Sequence, residues 1–364
     1  MTVTGSRADY GLIHNSVLEL RKDWAVDLIV IGDSPMLRIE GPTAQIDRTL
    51  FRNIYPIEVP FAALAEGASM QDGFAAILRA SGQFLRAAQP RLFLAAGDRW
   101  EIFATVMASF FAQVPIAHLA GGDVTMGSYD EHFRTCITQF SKWHLTTNSE
   151  ATARLKKICL HPEMIFQVGS PSIDHLAEDS LLSTAAIEAV LKIKLPKNFF
   201  LVNFQPQTVS PLSPLQQIQT FLQGLSKIHA ATELVWALPN MDLGASEIQD
   251  AIFHFTKTRP GVHAYTALPR NVYLSLLKRS IALLGNSSSG IYEAPALGVP
   301  ALNVGDRQKG RLMASSVICC PLEIKAMQNA LHSLDRKEKL ALQSPYGDGQ
   351  SALRMREIFK AELI

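Results

Sequence analysis

The sequence predicts an α/β protein built from two doubly wound halves, and three observations carry that prediction. Short apolar runs of strand length recur along the chain, as buried parallel strands do. Each run is followed by a small or polar turn and then by a segment of helical composition. After a linker-like helical region reaching about Lys194, the pattern starts again. The 364 residues are enough for two separate cores.

The first half begins with Thr2–Thr4 as the end of a strand, abrupt enough that residues are expected upstream. A turn, Gly5 to Gly11, leads into a helix from Leu12 to about Arg21, and Arg7 sits where the strand would present it to a ligand. Val26–Ile31 is the next strand, followed by a polar loop through Ser34 and Gly41. Phe74–Ala88 reads as an amphipathic helix and Arg91–Ala96 as a buried parallel strand. That strand delivers Gly97-Asp98-Arg99-Trp100-Glu101 at the head of a helix over Ile102–Phe111. Acid and base at a strand's carboxyl end suit chemistry, although Asp98 would equally serve as the helix cap. Val114–Leu119 is a strand, and Gly121-Gly122-Asp123 a flexible turn. Asp130 and Glu131 then open a helix to about Ser141, where the dipole favours carboxylates, and Arg134 lies one turn on, able to pair with either. Trp143–Thr147 is a strand, Asn148-Ser149 caps a helix over Ala151–Ile158, and Phe166–Val168 closes the half.

In the second half, Phe199–Asn203 is an apolar strand broken by Gln205-Pro206. A helix over Pro214–His229 and strands at Glu233–Leu238 and Val262–Tyr265 follow, with Pro239-Asn240-Met241-Asp242 as a turn. The densest stretch is GNSSSGIYEAPALGVPALNVGDRQKGR, from Gly285 to Arg311. It joins a strand ending at Leu284 to a serine turn, a short helix over Ile291–Leu297 and a strand over Val299–Val304. Small residues and the hydroxyls of Ser287 and Ser288 suit an anion at a helix N-terminus. Glu293 would repel a phosphate and so suits sugar hydroxyls, while Arg307 and Arg311 can offer a fork to phosphate oxygens. A serine-capped helix with a surface arginine pair is the plainer alternative. Pro321–Leu334, Lys337–Ala341 and Ser351–Leu363 are helical in composition.

Composition excludes some roles. The net charge is +1 with no basic cluster, which argues against nucleic acid or a membrane surface as the main partner. No apolar run is long enough to span a bilayer, and the first residues carry no signal-peptide pattern. The four cysteines fit no metal spacing and read as free thiols of a reducing cytoplasm.

Taken together, TGSRADYG, GDRWE, HLAGGDVTMGSYDE, GSPSID, LPNMD, GNSSSGIYEAP, GDRQKGR and SPYGDG occur in the order, and over the span, of a known family. The chain resembles the hydrolysing UDP-N-acetylglucosamine 2-epimerases of sialic and legionaminic acid biosynthesis. The resemblance implies two Rossmann-like domains of the glycosyltransferase-B type with the active site in the interdomain cleft. The domains would span 1–172 and 173–343, with 344–364 forming a helix that packs back on the first. It implies Asp98, Asp130 and Glu131 as acid–base carboxylates. Arg99 would help hold the diphosphate, Arg134 would bind the substrate, and Arg7, Gln205 and Asn240 would line the nucleotide-sugar site. Ser287, Ser288, Glu293 and Arg307 would hold UDP, with Glu293 on the ribose. No metal or redox cofactor is implied, and the partner is a UDP-amino sugar, in a homodimer or homotetramer. Several positions depart from the family pattern. Ala120 stands where Glu or His is usual, Gln205 replaces a histidine, Thr135 follows Arg134 in place of histidine, and Gly32-Asp33-Ser34-Pro35 lacks a His-Leu pattern. The alternatives are a nucleotide-sugar-binding homologue with altered activity and a glycosyltransferase sharing the fold.

Overall fold

The computed structural model describes residues 1–5, 7–32, 46–59, 70–126, 129–174, 176, 181–207, 209–229, 231–239, 244–266, 268–334 and 344–363. The chain divides into two units. The first comprises Met1–Val124, Asp130–Asp174 and Tyr346–Ile364, and the second comprises Thr125–Tyr129 and His175–Pro345.

In the first unit, β1 (Thr2–Thr4), β2 (Asp27–Ile31), β3 (Asn53–Ile57), β4 (Phe93–Ala96), β5 (Ile116–Leu119), β6 (Trp143–Thr146) and β7 (Ile165–Gln167) form one parallel sheet. Its order is β3-β2-β1-β4-β5-β6-β7. Helices α1 (Arg7–Leu20), α2 (Met70–Ala88), α3 (Trp100–Phe111), α4 (Asp130–Phe140) and α5 (Ser149–Leu155) supply the crossovers. Alternation along each strand feeds two cores. Leu28, Val30, Leu94 and Ala96 pack with Ile13 and Val17 of α1, whereas Ile29, Ile31, Phe93 and Ala95 pack with Ile77, Ile102 and Ile137. A sheet buried on both faces explains the unbroken apolar runs.

The closing helix, Ser351–Leu363, belongs to this unit. Met355 and Phe359 enter the core of α1, and the Asp174 carboxylate accepts the backbone N–H groups of Ser351 and Ala352 at 3.0 and 2.6 Å. Those are two of the four donors that a helix start leaves unmatched.

The second unit repeats the plan. Strands β8 (Phe199–Asn203), β9 (Glu233–Ala237), β10 (Val262–Tyr265), β11 (Leu283–Gly285), β12 (Ala301–Val304) and β13 (Val317–Cys320) pair in parallel in the order β10-β9-β8-β11-β12-β13. They are joined by α6 (Thr184–Leu191), α7 (Pro214–Gly224), α8 (Ala245–Thr258), α9 (Arg270–Arg279), α10 (Glu293–Ala296) and α11 (Ile324–Leu334), so that the closing helix is α12. The start of α7 shows the local code clearly. Ser213 accepts from the Gln216 N–H, Gln216 Oε1 accepts from the Ser213 N–H at 2.9 Å, and Pro214 occupies the first helical position.

Several elements differ from the sequence-based expectation. Helix α1 starts at Arg7 rather than Leu12, running through Gly11, so Arg7 belongs to a helix and not to a turn. Strands β3 and β13 and helices α8 and α9 had not been anticipated. Both strands lie at sheet edges, where Pro56 removes no ladder bond that an inner strand would need. The segment Lys337–Ala341, the loop at Asp33–Pro35 and Asn240 lie outside the described residues.

In each sheet the chain order reverses at one point, between β1 and β4 in the first and between β8 and β11 in the second. The turns leaving those strands are where an open α/β sheet binds ligands.

Candidate active site

At the first reversal, Gly5 follows β1 and Gly97-Asp98-Arg99 follows β4. A Cβ at position 5 would stand 2.7 Å from Glu101 Cγ, so only glycine lets these two turns meet. The cap of α3 is Arg99, whose side chain makes no capping bond; the alternative reading of Asp98 as the cap is therefore incorrect. The Asp98 carboxylate instead accepts a hydrogen bond from Arg134 Nη2. Arg134 Nη1 also donates to the Asp123 carbonyl at 2.9 Å and to Glu131 Oε2 at 2.5 Å. Three predicted residues from two elements thus converge, with a buried guanidinium between two carboxylates that keep 22% and 32% side-chain exposure. Burial alone would lower Arg134, but Asp98, Glu131 and Asp123 outweigh it and hold the guanidinium firmly protonated. Asp130 lies half-buried in the same first turn of α4. Arg99 takes another direction, its Nε donating to Glu101 Oε1 at 2.6 Å.

Beneath these groups lies a sealed layer. His118 of β5 is fully buried, with Nδ1 3.0 Å from Thr138 Oγ1 and Nε2 3.3 Å from the Gly97 carbonyl. The turn at Gly121–Asp123 is buried rather than flexible as anticipated. The Asp123 carboxylate accepts from Thr147 Oγ1 at 2.6 Å and from Asn148 Nδ2 at 3.0 Å, which fixes the carbonyl that Arg134 uses. Ala120 precedes this turn with φ 66°, and its N–H donates to the Leu145 carbonyl.

Burial pushes the imidazoles down, His118 to about 3 and His144 to about 4. Both are neutral in the fold and titrate near pH 6.5 once unfolded. Their contribution is whole above pH 6.5 and is lost as pH falls toward 4 and then 3, because the unfolded chain then binds more protons. We expect a His118→Gln variant to lose about 1.2 kcal/mol less stability than the parent between pH 6 and pH 5. Urea denaturation of the two proteins checks it, since their difference cancels the other titrating groups.

At the second reversal, Asn286 ties three segments together. Its side chain accepts from the Gln205 N–H at 2.7 Å and donates to the Gln205 carbonyl at 2.8 Å. Its carbonyl accepts from Arg307 Nη1 at 3.2 Å and Gln308 Nε2 at 2.9 Å. Gly285, at φ 136°, is required just before it, because a Cβ would meet the Asn203 carbonyl oxygen at 2.0 Å. Gln205 is buried, and its amide donates to Asn203 Oδ1 at 2.7 Å. Ser287 caps a single 3-10 turn over Ser288–Gly290. The expected helix over Ile291–Leu297 is corrected to the four residues of α10. Pro295 has no N–H to return to Ile291, so the ladder cannot extend backwards. Glu293 is buried, and desolvation raises its carboxyl pKa against the pull of Arg270, whose Nη1 lies 3.6 Å from Oε1. Arg311 lies over the Tyr292 ring, 5.1 Å from its centroid.

Asp98, Glu131 and Arg134 are therefore brought together in one unit, and Gln205 and Arg307 meet through Asn286 in the other. The side chain of Arg7 lies outside the described residues. Glu101, Asp123, Asn286 and Arg270 were not anticipated as partners. Glu101 and Asn286 lay inside quoted motifs, whereas Arg270 gave no signal of its own.

Comparison with known proteins decides the family. The family model described as UDP-N-acetylglucosamine 2-epimerase matches residues 43–360. The chain belongs to that family. Within the epimerase family, it is 31% identical over 348 residues to a polysialic acid biosynthesis protein of Escherichia coli, covering 94% of this chain and 88% of that one. It is 28% identical over 362 residues to the UDP-N,N'-diacetylbacillosamine 2-epimerase (hydrolyzing) of Legionella pneumophila, covering 98% and 94%. Among solved structures it resembles the UDP-GlcNAc 2-epimerase of Neisseria meningitidis bound to UDP-GlcNAc, with TM-score 0.79, 20% identity and 99% of both chains covered. The epimerase fold is thus two Rossmann-like domains of the glycosyltransferase-B type.

Proposed function

We propose that the chain is a hydrolysing 2-epimerase of a UDP-linked N-acetylated amino sugar, either UDP-N-acetylglucosamine or a diacetamido-trideoxy relative. The observation that carries this reading is the pair of carboxylates, Asp98 and Glu131, held on the buried guanidinium of Arg134 at a sheet reversal. The names of the relatives support it.

A carboxylate of the set Asp98, Asp130 and Glu131 removes the proton on the carbon bearing the acetamido group. The electron pair of the broken C–H bond forms a double bond to the anomeric carbon as the bond from that carbon to the UDP oxygen breaks, and UDP departs with the electrons of the carbon–oxygen bond. Water then adds across the double bond, its hydroxyl to the anomeric carbon and a proton to the opposite face of its neighbour. The free 2-epimer results, of the N-acetylmannosamine type. That proton is weakly acidic, so a placed base and cations facing the leaving diphosphate must share the task. Ser287, Ser288, Glu293 and Arg307 hold the nucleotide in this reading, with Arg7, Arg99, Gln205 and Asn240 also at the substrate. The setting is the cytoplasm, the assembly a homodimer or homotetramer, and the product serves nonulosonic acid synthesis.

Incubation with UDP-N-acetylglucosamine in deuterated water, followed by proton NMR, tests the reading. Free N-acetylmannosamine deuterated beside the anomeric carbon, together with UDP, is the expected result. If no UDP-amino sugar yields UDP while UDP itself binds, the second reading holds, that of a nucleotide-sugar-binding homologue, which Ala120 and Gln205 favour. Arg307→Ala is expected to weaken UDP binding about 10- to 100-fold by calorimetry, the range for one charge-assisted contact.

A further inference from the structure

Glu101 is a charged residue that the proposed chemistry leaves unused. It lies in the first turn of α3 with no solvent exposure. Oε1 accepts from Arg99 Nε at 2.6 Å, while Oε2 is buried without a hydrogen-bond partner among the described residues. Its Cγ lies 2.7 Å from where a Cβ on Gly5 would stand, which packs it against the turn leaving β1. The pair is asymmetric, since Arg99 keeps 27% side-chain exposure and Glu101 keeps none. A rigid buried carboxylate gripping the inner nitrogen of a longer, half-exposed cation is how a protein fixes where a guanidinium points. An ordinary stabilising ion pair gives no reason to seal one partner at the meeting of two ligand-facing turns, where burying a charge is costly.

We propose that Glu101 is a positioning residue that holds the Arg99 guanidinium in place for the leaving diphosphate of the substrate. This rests on the reading of Arg99 as a diphosphate contact. Once freed from Glu101, the arginine side chain regains its rotamers, and each binding event must order it again.

A double-mutant cycle tests this, with UDP affinity by calorimetry and UDP release from UDP-N-acetylglucosamine as readouts. Arg99→Ala is expected to weaken UDP binding about 10-fold or more. Glu101→Ala should weaken it by a similar factor, and Glu101→Gln, which keeps an acceptor for Arg99 Nε, should recover most of that loss. The decisive expectation is that Glu101→Gln and Glu101→Ala cost nothing further in the Arg99→Ala background. If Glu101→Ala weakens binding equally with and without Arg99, or leaves it unchanged in the parent, Glu101 merely supports the fold and the proposal is overturned. If Arg99→Ala itself leaves UDP affinity and turnover untouched, the reading of Arg99 falls first and takes the proposal with it. Should Glu101→Ala fail to fold, Glu101→Met, which fills the buried slot without offering an acceptor, completes the cycle. Its effect must then vanish when Arg99 is absent.

Discussion

Replacing Asp98 with asparagine is expected to slow UDP release about 10³-fold while UDP affinity stays within about threefold. Asparagine keeps an oxygen at the position that accepts from Arg134 Nη2, so the guanidinium retains its place between α4 and the turn after β4. What it loses is basicity, and a positioned base contributes about 10²- to 10⁴-fold. Single-turnover UDP release and calorimetry separate the two quantities. Turnover at the parental rate would mean that Asp98 only anchors Arg134, and the base would have to be sought at Glu131 or Asp130.

Removing Arg134 should do damage of a different kind. In an Arg134→Met variant the side chain still fills its buried slot, but Asp98 and Glu131 face one another with no cation between them. The Asp123 carbonyl loses its donor as well. Breaking a buried pair costs about 3–5 kcal/mol, and the partial exposure of both carboxylates favours the lower end. For a domain of this size that corresponds to a fall in Tm on the order of 10 °C. Turnover should fall with it even at temperatures where the variant is folded, because the two carboxylates are no longer held toward one centre. Arg134→Lys serves as the control. It keeps the charge but cannot serve three acceptors in one plane, so we expect it to recover much of the Tm and little of the turnover. A melting curve for Arg134→Met indistinguishable from that of the parent would show that the cluster is not a structural hub.

The unequal legibility of the two sheets' parts has a physical origin. Inner strands such as β4 and β8 are covered on both faces, so they appear as unbroken apolar runs that nothing else in the sequence imitates. The edge strands β3 and β13 carry Pro56 and adjacent cysteines, and only pairing with a neighbour makes them strands. The same logic governs the site. Asp98, Glu131 and Arg134 were readable as candidates because each stands at an element's end. The Glu131–Arg134 pair follows from helical spacing, whereas the arrival of Asp98 at Arg134 depends on β4 and β5 lying side by side, which no local pattern contains. Arg99 was readable in the same way at its strand end, whereas the bond of its inner nitrogen to Glu101 was not. The one-turn helix α10 was overestimated because composition promotes Ile291–Leu297 equally, and Pro295 acts only through a missing N–H.

The return of α12 to the first unit also dictates an order of assembly. On the ribosome, the first sheet emerges before the second, yet the apolar slot for Met355 and Phe359 beside Ile13, Val17 and Trp143 stays open until α12 has left the exit tunnel. The strands of the second unit all lie between His175 and Pro345, so its whole sheet is available earlier. The half that is translated first is therefore completed last. A prematurely terminated chain would carry one finished sheet and one with an exposed apolar flank, the kind of surface that chaperones and proteases recognise.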